Sequence, residues 1–155
     1  MPANYYIFAP SAAMHRDNKL LENQENFQTK TNKLKHSWDY RFLIREAVRV
    51  SDLQLTIIEA HTGLDFIKKS PVNPENTIVL LDMNMPQMDG IETIKAGTAQ
   101  GKLHTTPVFM ISTSDNKKLR SNALKNGIKR FYSKPDSFNG YLRMMKDICR
   151  YFDHV

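Results

Sequence analysis

At 155 residues the chain has the length of one domain with a sizeable hydrophobic core. Hydrophobic residues make up 41% and charged residues 25%, as in soluble globular proteins, and no apolar run is long enough to cross a bilayer. The single cysteine, Cys149, excludes a disulfide framework within the chain, and residues 1–10 do not resemble a secretory signal. We therefore expect a cytoplasmic protein with no membrane partner.

The N-terminal half of the chain alternates between ordered and polar segments. Tyr5–Phe8 is aromatic and predicts a short strand. Residues 11–38 are polar and bury little apolar surface, which predicts a loop or a marginal helix. Helical spacing of apolar residues resumes over Asp39–Val50. A strand over Leu53–Ala60 and a short helix over Leu64–Lys69 follow.

The remaining residues continue this alternation. The run Thr77–Asp82 is typical of a fully buried strand. A helix capped by Ser114 or Asp115 is expected to continue to Asn126, where Gly127 ends it. The other elements predicted here are a helix over 91–100, strands over 107–112 and 128–132, and a helix from Phe138 onward.

Five strands that alternate with five helices predict a doubly wound α/β fold. Such alternation requires a parallel sheet with right-handed crossovers and helices on both faces. The sequence shows no internal repeat, so we expect a single domain over residues 1–155 with an atypical polar insert at about 11–38.

Polar residues stand at the ends of three of these strands. Asp82, Ser112 and Lys134 each follow an apolar strand segment. Because the carboxyl ends of parallel strands meet at one sheet edge, these side chains are expected to surround one small space. A phosphoryl group on Asp82 would there receive hydrogen bonds from Ser112 and Lys134.

Three motifs carry a resemblance to a known family. They are LLDMNMPQMDG at 80–90, PVFMISTS at 107–114 and GIKRFYSKP at 127–135. In order and spacing they resemble the receiver domain of two-component response regulators, of the stand-alone CheY-like type, over roughly residues 39–153. The resemblance implies a flavodoxin-like sheet with strand order 2-1-3-4-5.

The resemblance also implies a role for each motif residue. Asp82 would accept a phosphoryl group from a histidine kinase or a phosphotransfer protein, and Ser112 and Lys134 would bind it. Ser112 and Phe131 would form the switch that changes the face of helix 4, strand 5 and helix 5. Asp89 and Gly90 are interpreted as a helix cap and a turn. The protein would be a signalling phosphoprotein, not an enzyme beyond self-catalysed phosphoryl transfer and autodephosphorylation.

One part of the family pattern is missing. The family holds Mg²⁺ with the acceptor aspartate, a backbone carbonyl matching Asn84 and an acidic pair after strand 1, where this chain has Ala9–Ala12. Three explanations remain: Asp17, Glu22, Glu25 or Asp39 replaces the pair; the protein is a pseudo-receiver without Mg²⁺; or strand 1 is poorly formed. No cofactor besides Mg²⁺ is expected.

A second function competes with phosphoryl signalling. Between residues 117 and 150, ten Lys or Arg residues are opposed only by Asp136 and Asp147. A phosphorylation-independent module could use this basic face to bind an acidic protein or a nucleic acid. Under the leading hypothesis the output partner is a downstream protein and not a nucleic acid, because no DNA-binding domain follows residue 155. The chain would be a monomer or a phosphorylation-dependent dimer.

Overall fold

Five strands alternate with five helices in the part of the chain that the structure describes. The structure is a computed structural model, and it describes residues 3–8, 40–51, 55–69, 77–85, 87–103 and 105–151. The elements are β1 Ala3–Phe8, α1 Tyr40–Val50, β2 Leu55–Ala60, α2 Gly63–Lys69, β3 Thr77–Asp82, α3 Gly90–Ala99, β4 Val108–Ser112, α4 Lys117–Lys125, β5 Arg130–Ser133 and α5 Phe138–Cys149. The insert predicted at 11–38 lies outside the described residues.

The strands form one parallel sheet in the order β2-β1-β3-β4-β5. Because β1 lies between β2 and β3, the chain reverses its direction of winding after β2, which creates a switch point between β1 and β3. In the register, Asp82 is opposite Ile111, and Ser112 is opposite Ser133. The predicted α/β class and strand order are confirmed.

The elements divide between two compact units. One unit contains the five strands with α2, α3 and α4, and the other contains α1 and α5. Within the second unit α1 packs against α5, and each helix buries an apolar stripe that includes Ile44 and Ala47 on α1 and Met145 and Ile148 on α5. The single domain expected over residues 1–155 stays a prediction.

The core of the first unit explains why β3 lies at the centre of its sheet. All six residues of β3 are buried, as expected for a parallel strand covered on both faces. Val79 and Leu81 belong to a hydrophobic cluster with Met110 of β4, Phe66 of α2 and Ile94 of α3. The apolar run therefore fixes β3 firmly and places its last residue at the sheet edge.

Local capping fixes where α3 begins. The Asp89 side chain accepts from the Glu92 backbone N–H at 2.8 Å, and the Glu92 side chain accepts from the Asp89 N–H at 2.9 Å. This reciprocal pair is a capping box, which satisfies two backbone donors at the helix start. The interpretation of Asp89 as a cap is thus supported by its geometry.

The start of α4 differs from the prediction. Neither Ser114 nor Asp115 is the N-cap; Asn116 has the extended backbone of a cap, and its side chain accepts from the Lys118 N–H at 2.8 Å. Asp115 instead accepts a hydrogen bond from Arg120. The sequence offered three consecutive capping residues, and only the backbone path selects among them.

Gly90 allows α3 to approach the end of β3. A Cβ atom at Gly90 would lie 2.9 Å from the Asp82 carbonyl oxygen and 3.0 Å from the Met83 Cα. The Gly90 N–H also donates to the Met83 carbonyl at 3.0 Å. At Gly97, in the same helix, the nearest atom is the Leu103 Cδ1 at 2.7 Å, which belongs to a movable side chain.

This difference predicts unequal effects of the same substitution. Gly90→Ala should destabilise the protein by about 1–3 kcal/mol, because the new methyl group meets backbone that cannot yield without a shift of β3. Gly97→Ala is the matched control: a helix interior favours Ala over Gly by about 1 kcal/mol, which offsets displacement of Leu103. Urea unfolding measures both, and a cost at Gly97 equal to that at Gly90 would contradict this explanation.

Candidate functional site

Three polar residues meet at the carboxyl edge of the sheet. Asp82 ends β3, Ser112 ends β4, and Lys134 directly follows β5. The Lys134 N–H donates to the Ser112 carbonyl at 2.7 Å, which holds the end of β5 beside β4. The structure therefore brings together the residues that the sequence singled out at the three strand ends.

The Asp82 carboxylate is fully buried and has a donor on each oxygen. The Asn84 backbone N–H donates to Oδ1 at 2.9 Å, and Lys134 Nζ donates to Oδ2 at 3.0 Å. The exposed fraction is 0% for the Asp82 side chain and 16% for the Lys134 side chain. A buried carboxylate is costly unless it is paired and hydrogen-bonded, so Lys134 is the partner that makes Asp82 tolerable here.

Ser112 lies at the end of the adjacent strand, and its hydroxyl group has a defined hydrogen-bond partner. The residue is fully buried, and its Oγ accepts a hydrogen bond from the Ser114 backbone N–H at 3.1 Å. This bond uses an acceptor lone pair and not the hydroxyl hydrogen, which can be donated to an anionic oxygen. Ser112 and Lys134 together provide the donors that a phosphoryl group at this edge would need.

The loop after β3 presents one backbone N–H group, that of Asn84, to the same carboxylate. Asn84 is exposed, and its contact with Asp82 is made by the backbone N–H. Gln87 has a φ of 70°, a left-handed conformation that disfavours side chains by about 1–2 kcal/mol. Asn84 thus contacts the carboxylate through its backbone, and Gln87 changes the direction of the chain shortly before the Asp89 cap.

Phe131 lies on β5, opposite Met110 of β4. Its ring belongs to the hydrophobic cluster of the first unit and is 4% exposed. The guanidinium carbon of Arg120, on α4, lies 5.3 Å from the centre of the ring. The structure thus places the predicted switch aromatic under a cation of the neighbouring helix.

The described residues do not by themselves fit a Mg²⁺ site. No group of three or more His, Cys, Asp or Glu side chains lies close enough to hold a metal within the described ranges. Asp82 is the carboxylate at the strand edge, and its Oδ2 is already bound by a lysine ammonium. Mg²⁺ prefers six oxygen ligands in near-octahedral geometry. The substitutes named from the sequence, Asp17, Glu22, Glu25 and Asp39, lie outside the described residues.

Three features of this region were missed by sequence reasoning. The ion pair between Arg120 and Asp115, at 2.6 Å, joins residues five apart, which is not a standard helical spacing. The contact of Arg120 with Phe131 depends on the packing of α4 beside β5 and has no local signal. The proximity of Gly90 to the Asp82 carbonyl likewise has no local signal in the Asp-Gly motif.

Sequence comparisons identify relatives among bacterial signalling proteins. A family model described as the response regulator receiver domain matches residues 38–145. Chemotaxis protein CheY1 of Helicobacter pylori strain J99 is 30% identical over 79 residues, which are 51% of this chain and 64% of that protein. Chemotaxis protein CheY of Listeria monocytogenes is 35% identical over 96 residues, 61% of this chain and 76% of that protein. The matched part of the chain thus spans less than two thirds of the Helicobacter relative.

Solved structures show the same fold. The signal receiver domain of a putative LuxO repressor protein from Vibrio parahaemolyticus has a TM-score of 0.68 and 16% identity, covering 99% of this chain and 92% of that one. The Mn²⁺-bound form of response regulator Rcp1 has a TM-score of 0.62 and 18% identity, with 95% and 91% covered. At such identities the likeness concerns the fold alone, and it confirms a flavodoxin-like receiver fold.

The chain belongs to the response regulator receiver domain family. Receiver domains are signalling proteins that interact with histidine kinases or phosphotransfer proteins and with downstream targets, and they generally bind Mg²⁺. None of the helices that the structure describes combines the length and apolar character needed to cross a bilayer.

The pairing of Asp82 with Lys134 predicts strongly coupled effects on stability. Lys134→Met should destabilise the protein by about 3–5 kcal/mol, because it leaves a buried carboxylate without its cation. In an Asp82→Asn background the same substitution should cost far less, since no charge is stranded. Urea unfolding of the four proteins gives the coupling energy. An equal cost of Lys134→Met in both backgrounds would contradict the pairing.

Proposed function

We propose that this chain acts as a response regulator receiver that accepts a phosphoryl group on Asp82. The observation that carries the proposal is the Asp82 carboxylate, which is held between Lys134 Nζ and the Asn84 N–H at the sheet edge where Ser112 also lies. The donor would be the phosphohistidine of a histidine kinase or a phosphotransfer protein. The downstream partner would be a protein, and the setting the cytoplasm.

The chemistry follows from the charges at the site. An Asp82 oxygen forms a bond to phosphorus while the phosphorus–nitrogen bond of phosphohistidine breaks, and the bonding electrons stay on the imidazole nitrogen. Phosphoryl transfer depends mainly on positioning and on stabilising the negative oxygens. Lys134 and the Ser112 hydroxyl supply a cation and a hydrogen-bond donor for these oxygens.

Burial of Asp82 adds a condition to this transfer. Because the Asp82 side chain has no exposed surface, a phosphoryl donor reaches a carboxylate oxygen only after a covering group moves. Lys134 is the natural group to move, since its ammonium already contacts Oδ2 and would follow the negative charge onto the phosphoryl group. The ion pair would thus hold the acceptor in place before transfer and bind the phosphoryl oxygens after it.

The phosphoacceptor role is tested with a small donor. Incubation with acetyl phosphate, with and without Mg²⁺, should add one phosphoryl group to the wild-type chain, as measured by intact-mass spectrometry. Asp82→Asn should abolish the gain because an amide oxygen is a poor nucleophile. Asp89→Asn is the matched control, since Asn also caps helices well and the fold is kept.

Two results would sink the phosphoacceptor role. One is the absence of any mass gain on the wild-type chain under both conditions. The other is an equal gain in Asp82→Asn, which would place the phosphoryl group on another residue. If Asp89→Asn also loses the mass gain, the assay reports the conformation of the loop between β3 and α3 and does not identify the residue that accepts the phosphoryl group.

A second candidate function draws on the surface of α4. This helix has Lys117, Lys118, Arg120 and Lys125 with no acidic residue, and Leu124 is 47% exposed. A shallow depression of about 460 Å³ lies over Lys117, Arg120, Ser121, Leu124 and Lys125. A module that works without phosphorylation would bind an acidic partner at this surface through long-range attraction.

The two functions differ in their dependence on salt and on α4 charges. The receiver role predicts that Lys117→Glu with Lys118→Glu leaves phosphoryl uptake unchanged, because neither residue belongs to the site of Asp82. It also predicts no salt-sensitive binding of a single-stranded oligonucleotide, measured by fluorescence anisotropy. Binding that falls steeply with salt and is lost in this variant, but is kept in a Lys68→Glu with Lys95→Glu control, would favour the second function.

A further inference from the structure

Arg120 contacts two groups that belong to different parts of the first unit. Its Nη2 donates to the Asp115 Oδ1 at 2.6 Å, in the loop between β4 and α4. Its guanidinium carbon lies 5.3 Å from the centre of the Phe131 ring on β5. Arg120 therefore joins the loop that follows Ser112 to the aromatic residue that the family resemblance identifies as a switch.

Asp115 also feels the side chain of Ser133, at the strand edge. Ser133 is the residue before Lys134 and pairs with Ser112 in the sheet. The hydrogen bond from Arg120 lowers the pKa of the Asp115 carboxyl below its usual range, with a further contribution from Ser133. Asp115 thus stays ionised at neutral pH and keeps its hold on Arg120.

The contact with Phe131 is more informative than the ion pair alone. The Arg120 and Asp115 side chains are 41% and 57% exposed, and such exposed pairs stabilise proteins very little. A guanidinium within about 6 Å of an aromatic centre is attracted to the ring face, and its planar shape suits stacking. The ion pair therefore serves to orient the guanidinium over the ring.

Phe131 needs such a contact because it has no polar group of its own. A phenylalanine ring cannot hydrogen-bond to the protein surface, so burial and contacts with its faces decide its rotamer. The ring is 4% exposed, and Arg120 covers it from α4. Any movement of the ring out of the core must break the contact with Arg120 or carry Arg120 along.

We propose that Arg120 is a positioning residue that holds Phe131 in its buried rotamer and couples that rotamer to the loop after Ser112 through Asp115. When Asp115 shifts, the guanidinium loses its orientation and the ring is released. The signalling consequence, a change at the surface of α4 and β5 when Ser112 binds a phosphoryl group, rests on the function proposed above. The contact itself does not depend on it.

The test reads the ring directly in the full chain. Protein labelled with 3-fluorophenylalanine gives a fluorine NMR line for Phe131, assigned by its loss in Phe131→Leu. The change in this line between H₂O and D₂O buffers reports how much of the ring solvent reaches. In Arg120→Gln the population of molecules with an exposed Phe131 ring should rise about two- to five-fold. This is the change in population that corresponds to the free energy of an exposed cation–π contact.

Two further variants separate the proposed coupling from a general effect on α4. Lys118→Gln removes a positive charge from the same helix and should leave the Phe131 line as in the wild type. Asp115→Asn keeps Arg120 but removes its anchor, so it should shift the line in the same direction as Arg120→Gln. Combining the two substitutions should add little to Arg120→Gln alone, because both act through one contact.

The proposal is overturned if the Phe131 line in Arg120→Gln matches that in Lys118→Gln. It is also overturned if Asp115→Asn leaves the line unchanged, and this variant decides the question should Arg120→Gln fail to fold. No phosphoryl donor is used in these measurements. If Asp82 accepts no phosphoryl group, the role of Arg120 is therefore unaffected. If the Phe131 line is unchanged, the proposal that Asp82 accepts a phosphoryl group is unaffected.

Discussion

The contact between Asp82 and Lys134 is the interaction on which the site depends. The carboxylate stands at the end of a completely buried strand, where an uncompensated charge would destabilise the fold. Its cation comes from the end of β5, which is separated from β3 by β4. The ion pair therefore requires three strands to end at one level, and the register that places Asp82 opposite Ile111 and Ser112 opposite Ser133 achieves this.

The loop between β3 and α3 is shaped by demands close to that carboxylate. The Asp89 capping box fixes the helix start, and Gly90 lets the first turn of the helix lie against the Asp82 carbonyl. Just before them, Gln87 takes a left-handed backbone conformation that Gly would adopt more readily. These constraints bring the Asn84 N–H onto the carboxylate. The residues around Asp82 therefore meet packing and backbone requirements as well as chemical ones.

Most of the fold could be predicted from sequence, because apolar runs and their spacing determine strands and helices. The run Thr77–Asp82 was predicted with the bounds that the structure shows, whereas β5 begins at Arg130 and not at 128. The prediction of Ser114 or Asp115 as the N-cap of α4 was wrong, because Asn116, the next residue, is an equally good capping residue. The contact of Arg120 with Phe131 has no local pattern, since only the packing of α4 on the sheet creates it. The acids that would complete a Mg²⁺ site are not supplied by the residues that the structure describes.

The central claim is that one carboxylate, Asp82, accepts the phosphoryl group and that its ion-pair partner then binds that group. The most direct measurement is a crystal structure of the chain after phosphorylation, or with a stable phosphoryl analogue in its place. We expect the group on Asp82, with Lys134 Nζ moved from the carboxylate to a phosphoryl oxygen and the Ser112 hydroxyl donating to another. A group attached elsewhere, or a Lys134 Nζ that still contacts the carboxylate and no phosphoryl oxygen, would contradict the account.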